Sequence, residues 1–424
     1  MSSRFKLISP ATAAMAATAL MLASCSNDDV QVVNQGTEIT FNTQVSRATE
    51  INLGNLKGFR VWGLAEGYTS MFINGEEAKK KEGEDGTYVL SKNYYWPNDV
   101  DKIKFWAYGP SGKRDDGGVE VNPNITPDGQ SFSGLKPHVC LTGGGTDQRD
   151  FVVAYTEATR NTAGGMSVKL KFEHALSQVI VQAKKVADSD KRVRIKGGWI
   201  VNAKTNGTLT FDPTPEYDDL NHMKWTIENE SGQVPLESYG VTFKKESGES
   251  DYRELNSGDY TTIIGGNDNS SLMLIPQDTE GITFKDGKAT NSGAYILLLC
   301  RVEELHSGAD HPGGSDSPVG VEGDKHVHQL FPVSTKYNAE EYGYTCVPLT
   351  IDWEPGKKYI YSLEFCGTNS GAGVYPPKPG DGFPTDNVVE APADKEGHNV
   401  LTDPIKFSVS VSGWTEVNNT PNLN

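Results

Sequence analysis

The sequence predicts an all-β protein built of two tandem β-sandwiches, and three observations carry that expectation. Composition is the first: 45 Gly, 22 Pro and only 36% hydrophobic residues in 424 make poor helix material. The second is a series of short apolar runs separated by Gly, Asn, Asp and Pro, the spacing of sandwich strands and turns. The third is length. About 400 residues remain after an amino-terminal leader, enough for two to three domains at about 100–200 residues each.

The leader comes first in the chain. Arg4 and Lys6 precede the apolar run Ala11 to Leu22, which closes on Leu22-Ala23-Ser24-Cys25. A basic start, a short apolar core and small residues before the cut describe a secretory signal. The run is shorter than the roughly 20 apolar residues of a membrane span. The last four residues resemble a lipobox, so the mature chain is expected to begin at a lipidated Cys25. Ser26-Asn27-Asp28-Asp29 after it resembles the acidic export tag of cell-surface lipoproteins.

Strands are expected at 38–45, 58–64, 102–110 and 151–155, then as two pieces around a corner, or one long strand, across 168–184. Residues 74–86 read as a charged, solvated loop, and 111–149 as mostly loop. Residues 186–192 read as a hinge. Beyond it, strands are expected at 193–201, 207–211, 240–244, 260–264, 271–275, 294–302, 346–351 and 357–365. Residues 367–403 are rich in Pro and Gly and read as a linker leading away from the second sandwich. After it, Ile405, Phe407, Val409 and Val411 alternate with Lys and Ser in the cleanest period-two pattern of the chain.

Charge narrows the function classes. The net charge is −17 (39 basic against 56 acidic residues), and loss of Arg4 and Lys6 with the leader takes it to −19 (37 against 56). Nucleic acid is disfavoured as a partner, because phosphate binding draws on Lys and Arg. No H-E-x-x-H, G-x-S-x-G, Walker or G-x-G-x-x-G pattern is present, so no enzyme, cofactor or metal is expected. His306, Asp310, His311, His326 and His328 form the one cluster with usable ligand types, and a solvated loop explains them better. His174 reads as a hydrogen-bonded corner residue. Beyond Cys25, the cysteines Cys140, Cys300, Cys346 and Cys366 allow three pairings, and the spacing leaves open whether any forms.

Several motifs in order carry a resemblance. They are the lipobox at Cys25, Ile39-x-Phe41 running into Ser46-Arg47-Ala48, and Tyr95-Trp96-Pro97 followed by Phe105-Trp106-Ala107-Tyr108-Gly109-Pro110. Further along come Phe172-Glu173-His174-Ala175-Leu176-Ser177, Leu272-Met273-Leu274-Ile275-Pro276-Gln277 and the run from Trp353-Glu354-Pro355-Gly356 to Tyr361. Together they resemble the fimbrillin family of Bacteroidetes, the lipoprotein subunits of type V pili. The resemblance implies transthyretin-like sandwiches, and a precursor held in the outer membrane by lipid before it enters an extracellular fimbrium that supports adhesion. It implies an Arg-specific or trypsin-like protease that cuts after Arg47, leaving Ala48 as the new start. It also implies other pilin subunits as partners, joined by strand exchange in which Ile405, Phe407, Val409 and Val411 form the donor strand.

The expected divisions are therefore a leader at 1–24, a propeptide with the first strand at 25–47, sandwiches at 48–187 and 188–366, and a linker with the last strand at 367–424. The alternation of 405–411 fits a resident strand of the second sandwich as well as a donor. A stalk subunit is the leading reading. A pilus tip or anchor subunit, and a surface glycan-binding lipoprotein of a polysaccharide-uptake system, are the alternatives.

Overall fold

The computed structural model describes residues 38–45, 56–84, 86–112, 119–135, 149–160, 166–187, 190–211, 223–227, 236–243, 250–265, 272–307, 319–367, 371–403 and 405–413. The leader, Cys25, Arg47, Ala48 and Cys140 lie outside the described residues. Among the described residues every regular element is a strand, and no helix is long and apolar enough to cross a membrane.

Seven strands of the first half close on themselves. In spatial order they are Ile39–Val45, Thr87–Leu90, Ile73–Lys80, Gly58–Ala65, Lys102–Gly109, Val152–Thr159 and Met166–His174, which returns to the first. Closure removes both open edges. Phe41, Phe59, Val61, Ile103, Phe105 and Phe172 fill the interior. Trp62, Trp106, Tyr108 and Tyr155 point the other way, against Phe132, Leu209, Phe211 and Met273. That outward cluster explains why the run Lys102–Gly109 reads as nearly continuous apolar residues: Ile103, Phe105 and Ala107 go inward, and Trp106 and Tyr108 go outward.

The outer cluster is covered by a four-stranded sheet that joins the two halves of the chain. Gly129–Ser133 pairs with Asn122–Thr126 from the first half and with Gly207–Phe211 from the second, Phe132 opposite Leu209. The stretch 111–149, expected as mostly loop, thus contributes a hairpin. The expected charged loop 74–86 is corrected too: Ile73–Lys80 is a strand. Only Ile73 and Ala78 in it need to face the core, and its Glu and Lys residues stay partly or fully exposed.

The chain leaves the first barrel at Ala175–Leu176, a corner between the strands Met166–His174 and Ser177–Lys185. His174 is buried there, its Nδ1 2.7 Å from Asp150 Oδ2. Ser177–Lys185 pairs with Lys357–Phe365, Thr261–Ile264 and Leu272–Leu274. The crossing therefore precedes the hinge expected at 186–192. Apolar alternation resumes at once on the far side of the corner, so the second sheet captures the chain directly.

The second sandwich sets that sheet against another, centred on Lys191–Lys204 and Tyr295–Ser307. Val179, Val181, Ile195, Ile296, Leu298, Cys300, Tyr361, Leu363 and Phe365 form the core between them. On the reverse face, Trp199, Leu297, Leu299, Tyr342 and Cys346 pack with Val374. The segment 371–403, expected to lead away as a linker, instead lies on this face. It bridges Val374 to Cys346 and Asn399, and pairs Val388–Val389 with Tyr342–Pro348. The reason is plain in the burial: Leu297 and Leu299 are apolar on a face that would otherwise meet water. Cys300, Cys346 and Cys366 are free thiols, the first two buried.

Candidate functional site

Two strands at opposite ends of the described chain make the candidate site. The first, Ile39–Val45, is short and rich in β-branched and aromatic residues. It runs parallel to Met166–His174 with all seven residues in register, from Ile39 opposite Met166 to Val45 opposite Phe172. On its other side it is antiparallel to Thr87–Leu90, Phe41 opposite Tyr88. Ile39 N–H donates to Tyr94 O at 2.8 Å and Thr43 N–H to Gly86 O at 2.9 Å.

Those two neighbours meet only through the first strand in the closed order. The strand is therefore a wall of the core. Ile39, Phe41 and Thr43 are 3%, 0% and 2% exposed. The Phe41 ring sits edge-on to Phe59 and Phe105, with centroids 5.9 and 5.6 Å away. Edge-to-face pairs of this kind add about 0.5–1.5 kcal/mol beyond area burial. Thr43 Oγ1 is buried without a hydrogen-bond partner among the described residues.

The last strand, Lys406–Gly413, is held differently. It is antiparallel to Lys357–Phe365, from Glu364 opposite Lys406 to Lys357 opposite Gly413. Its other edge has no partner strand among the described residues. Phe407, Val409 and Val411 stand opposite Leu363, Tyr361 and Tyr359, which are buried core residues. Directly paired residues share a face, so the three apolar side chains point to the core side of the sheet. They nevertheless remain 42%, 48% and 54% exposed, because they lie at the outer edge of the sandwich. Ile405, at the strand's root, is buried in the core. An open, apolar edge strand is a template for pairing with another chain.

Of the sequence-derived site residues, Ile405, Phe407, Val409 and Val411 are thus placed on one edge, while Cys25, Arg47 and Ala48 fall outside the described residues. The structure does not bring the first and last strands of one chain together: they belong to different sheets. Sequence reasoning missed the seat itself, the aromatic pocket of Phe59 and Phe105 and the orphan hydroxyl of Thr43. The alternation Ile39-x-Phe41-x-Thr43 was the available signal.

The histidines are in strands, not in a solvated loop: Lys325–Phe331 pairs with Tyr295–Ser307, and His306 Nε2 lies 2.8 Å from His328 Nε2. Asp310 and His311 lie outside the described residues. Among the described residues no group of three or more His, Cys, Asp or Glu is arranged to hold a metal ion. Exposed aromatics among them are Tyr68, Tyr260 and Phe407, on three separate segments.

Comparison with known proteins agrees with this architecture. Fimbrium subunit Fim1C of Phocaeicola vulgatus is 24% identical over 325 residues, covering 67% of this chain and 80% of that protein. A crystal structure of a fimbrial protein from Bacteroides vulgatus superposes with a TM-score of 0.50 at 15% identity. The match covers 89% of this chain and 99% of the other, and shows a shared fold. A model of the fimbrillin-like family matches residues 46–308, well over half of the sequence. The chain belongs to the fimbrillin-like family, a family of fimbrial subunits rather than of enzymes.

Proposed function

We propose that the protein is a stalk subunit of a cell-surface fimbrium that polymerises by strand exchange. The precursor is exported as a lipoprotein and held in the outer membrane by lipid on Cys25. An Arg-specific or trypsin-like protease cuts between Arg47 and Ala48. Residues 25–47 then leave with the anchor and the first strand, and the last strand of a neighbouring subunit takes the vacated place.

One observation carries this reading: the strand Ile39–Val45 is an integral wall of a closed core and ends two residues before Arg47. Its loss would expose Phe59, Phe105 and Phe172 and the unpaired main-chain groups of Met166–His174 and Thr87–Leu90. Unpaired buried N–H and C=O groups are costly, so the opened barrel needs a replacement strand. Lys406–Gly413 offers one, already extended and apolar on one face. Full burial of a Val or Phe side chain is worth about 1.5–3 kcal/mol, and these are half covered already. Seating Phe407, Val409 and Val411 thus yields roughly 2–4 kcal/mol from the three together, and the two flanking strands of the seat replace the single ladder that the strand gives up on Lys357–Phe365. A stalk subunit must both accept and donate a strand, and this chain has parts for each.

The test is to treat the chain from Ser26 onward with dilute Arg-specific protease. One early cut after Arg47 is expected, followed by concentration-dependent ladders that resist boiling in detergent. A chain that is cut there and stays monomeric at high concentration overturns the reading.

A further inference from the structure

The first strand reads Ile39-Thr40-Phe41-Asn42-Thr43-Gln44-Val45, and the segment at the other end reads Ile405-Lys406-Phe407-Ser408-Val409-Ser410-Val411. Position by position, Ile falls on Ile, Phe on Phe, Val on Thr and Val on Val, with polar residues on every alternate site. We infer that the strand donated by a second copy of this chain takes the seat of the first strand residue for residue and in the same direction, Phe407 entering the pocket that Phe41 vacates. The inference rests on the strand-exchange reading and specifies its register.

The seats decide the direction. In the same direction, Ile405 takes the place of Ile39, and Phe407 meets Phe59 and Phe105, the two rings that flank Phe41. Val409 takes the place of Thr43. Inserted backwards over the same seven positions, Val409 would sit where Phe41 was and leave a cavity beside those two rings, while Phe407 would be forced into the space of a threonine. Shifted by two to keep Phe407 in the pocket, a reversed strand would put Ile405 in the threonine seat and Asp403 in the place of Val45. Cavities and overpacking are both destabilising. The polar sites agree as well. Thr40 and Asn42 face outward, and Lys406 and Ser408 would occupy their positions.

The threonine seat adds an independent argument. Thr43 Oγ1 is buried with no hydrogen-bond partner among the described residues. Val409 has the shape of threonine without the hydroxyl. The incoming strand thus removes a cost that the resident strand bears. In its own subunit Val409 is about half exposed, so the free monomer gains only part of the burial that the seat of Thr43 would give it.

Register makes the inference testable by cross-linking. On Met166–His174, Gln44 stands opposite Lys171 and Thr40 opposite Ser167. In the same direction Ser410 replaces Gln44 and comes opposite Lys171. Reversed, it replaces Thr40 and comes opposite Ser167. Those two positions lie roughly 13 Å apart along a strand, and a disulfide spans Cα atoms no more than about 7 Å apart. Chains from Ser26 onward, with Cys140 replaced by Ser, would carry S410C in one copy and either K171C or S167C in the other. After cleavage at Arg47 the expected result is disulfide-linked dimer with K171C and none with S167C. Dimer with S167C alone overturns the direction while leaving strand exchange intact. Ladders of the wild-type chain with no dimer from either pair overturn the seat assignment. Absence of ladders altogether removes the strand-exchange reading, and the inference with it. A second measurement uses V409T, which restores the orphan hydroxyl at a site half exposed in the monomer. Its ladders should come apart at a lower temperature than wild type, with the monomer melting unchanged. Ladders of unchanged stability would place Val409 elsewhere.

Discussion

Replacing Thr43 with Val should stabilise the uncut protein, although the site is fully buried and its backbone is part of a ladder. Thr43 is 2% exposed, and its N–H is satisfied by Gly86 O at 2.9 Å. Its hydroxyl has no hydrogen-bond partner among the described residues. A buried polar group left without a partner costs about 1–3 kcal/mol. Valine keeps the two branches at Cβ, so neither a cavity nor an overpacked contact offsets the gain. For a unit of 150–250 residues each kcal/mol moves the melting midpoint by about 2–4 °C, so T43V should raise it by roughly 2–12 °C. Thermal and urea melts of the chain from Ser26 onward read this directly. Thr43→Ser serves as the control: it keeps the hydroxyl, loses a methyl and should melt below wild type. The same change should delay ladder formation after proteolysis, because the outgoing strand is held more tightly. A T43V chain that melts at or below the wild-type temperature would refute the reasoning. It would mean that a partner, such as an internal water, satisfies the hydroxyl in solution.

Three further outcomes follow from the same contacts. Phe41→Ala removes a fully buried ring that touches Phe59 and Phe105, and should cost about 3–5 kcal/mol in urea unfolding of the uncut chain. Phe407→Asp alters a side chain 42% exposed in the monomer, so the monomer should lose only the part of its burial it has there, about 1–2 kcal/mol, and stay folded. Ladders should nevertheless disappear from detergent gels, since a carboxylate cannot be seated between two phenylalanine rings without a partner. Acid should weaken the second sandwich through Glu322. Its hydrogen bonds to Arg192 hold the Glu322 carboxyl below the ordinary value of 4.5. A folded-state value below the unfolded one gives stability that is complete above about pH 4.5 and is lost as pH falls through the folded value. The urea midpoint should therefore drop on acidification, and E322Q should make that drop shallower.

Strands with a strict period were legible in the sequence because burial on one face is all they require. Ile405 to Val411 alternates cleanly and Glu38 to Val45 less strictly, and each forms a strand over most of its length. Tyr295–Ser307 was visible as an apolar run for the opposite reason: Ile296, Leu298 and Cys300 face one cluster and Leu297 and Leu299 another. Ile73–Lys80 was misread because two inward residues, Ile73 and Ala78, suffice at its position in the barrel. Of the other six, Glu76, Glu77, Lys79 and Lys80 are charged and Asn74 and Gly75 suit a turn, which together read as a loop. Segment 371–403 has no period at all. Its buried residues Ala372, Val374, Tyr375 and Val400 answer to an apolar face supplied by distant strands, which no local pattern reveals. The contact of His306 with His328 depends on the register of two strands in the same way. At the candidate site the side chains were readable, but the pocket and the orphan hydroxyl were not, since both are properties of what surrounds the strand.

The contrast between the two strands bears on why cleavage should be the trigger. Before the cut the first strand is tied to its own barrel by the chain between Val45 and Gly58, so it competes for the seat at the high effective concentration of a short tether. No strand from solution displaces it on those terms, even one that fits better. The proposed cut after Arg47 would end the tether and make the strand one more binding partner at its bulk concentration. The difference in fit then decides the outcome, and Val409 in place of Thr43 tilts it toward the incoming strand by removing one unsatisfied hydroxyl. With the proposed lipid on Cys25, the outgoing peptide would also partition to the membrane and away from the opened barrel. Joining Val45 to Ala48 by a linker without arginine would therefore leave the chain monomeric in the presence of protease, at concentrations where the cut protein forms ladders. Ladders from such an uncut chain would show that the seat opens by itself, and that the tether is not what holds assembly back.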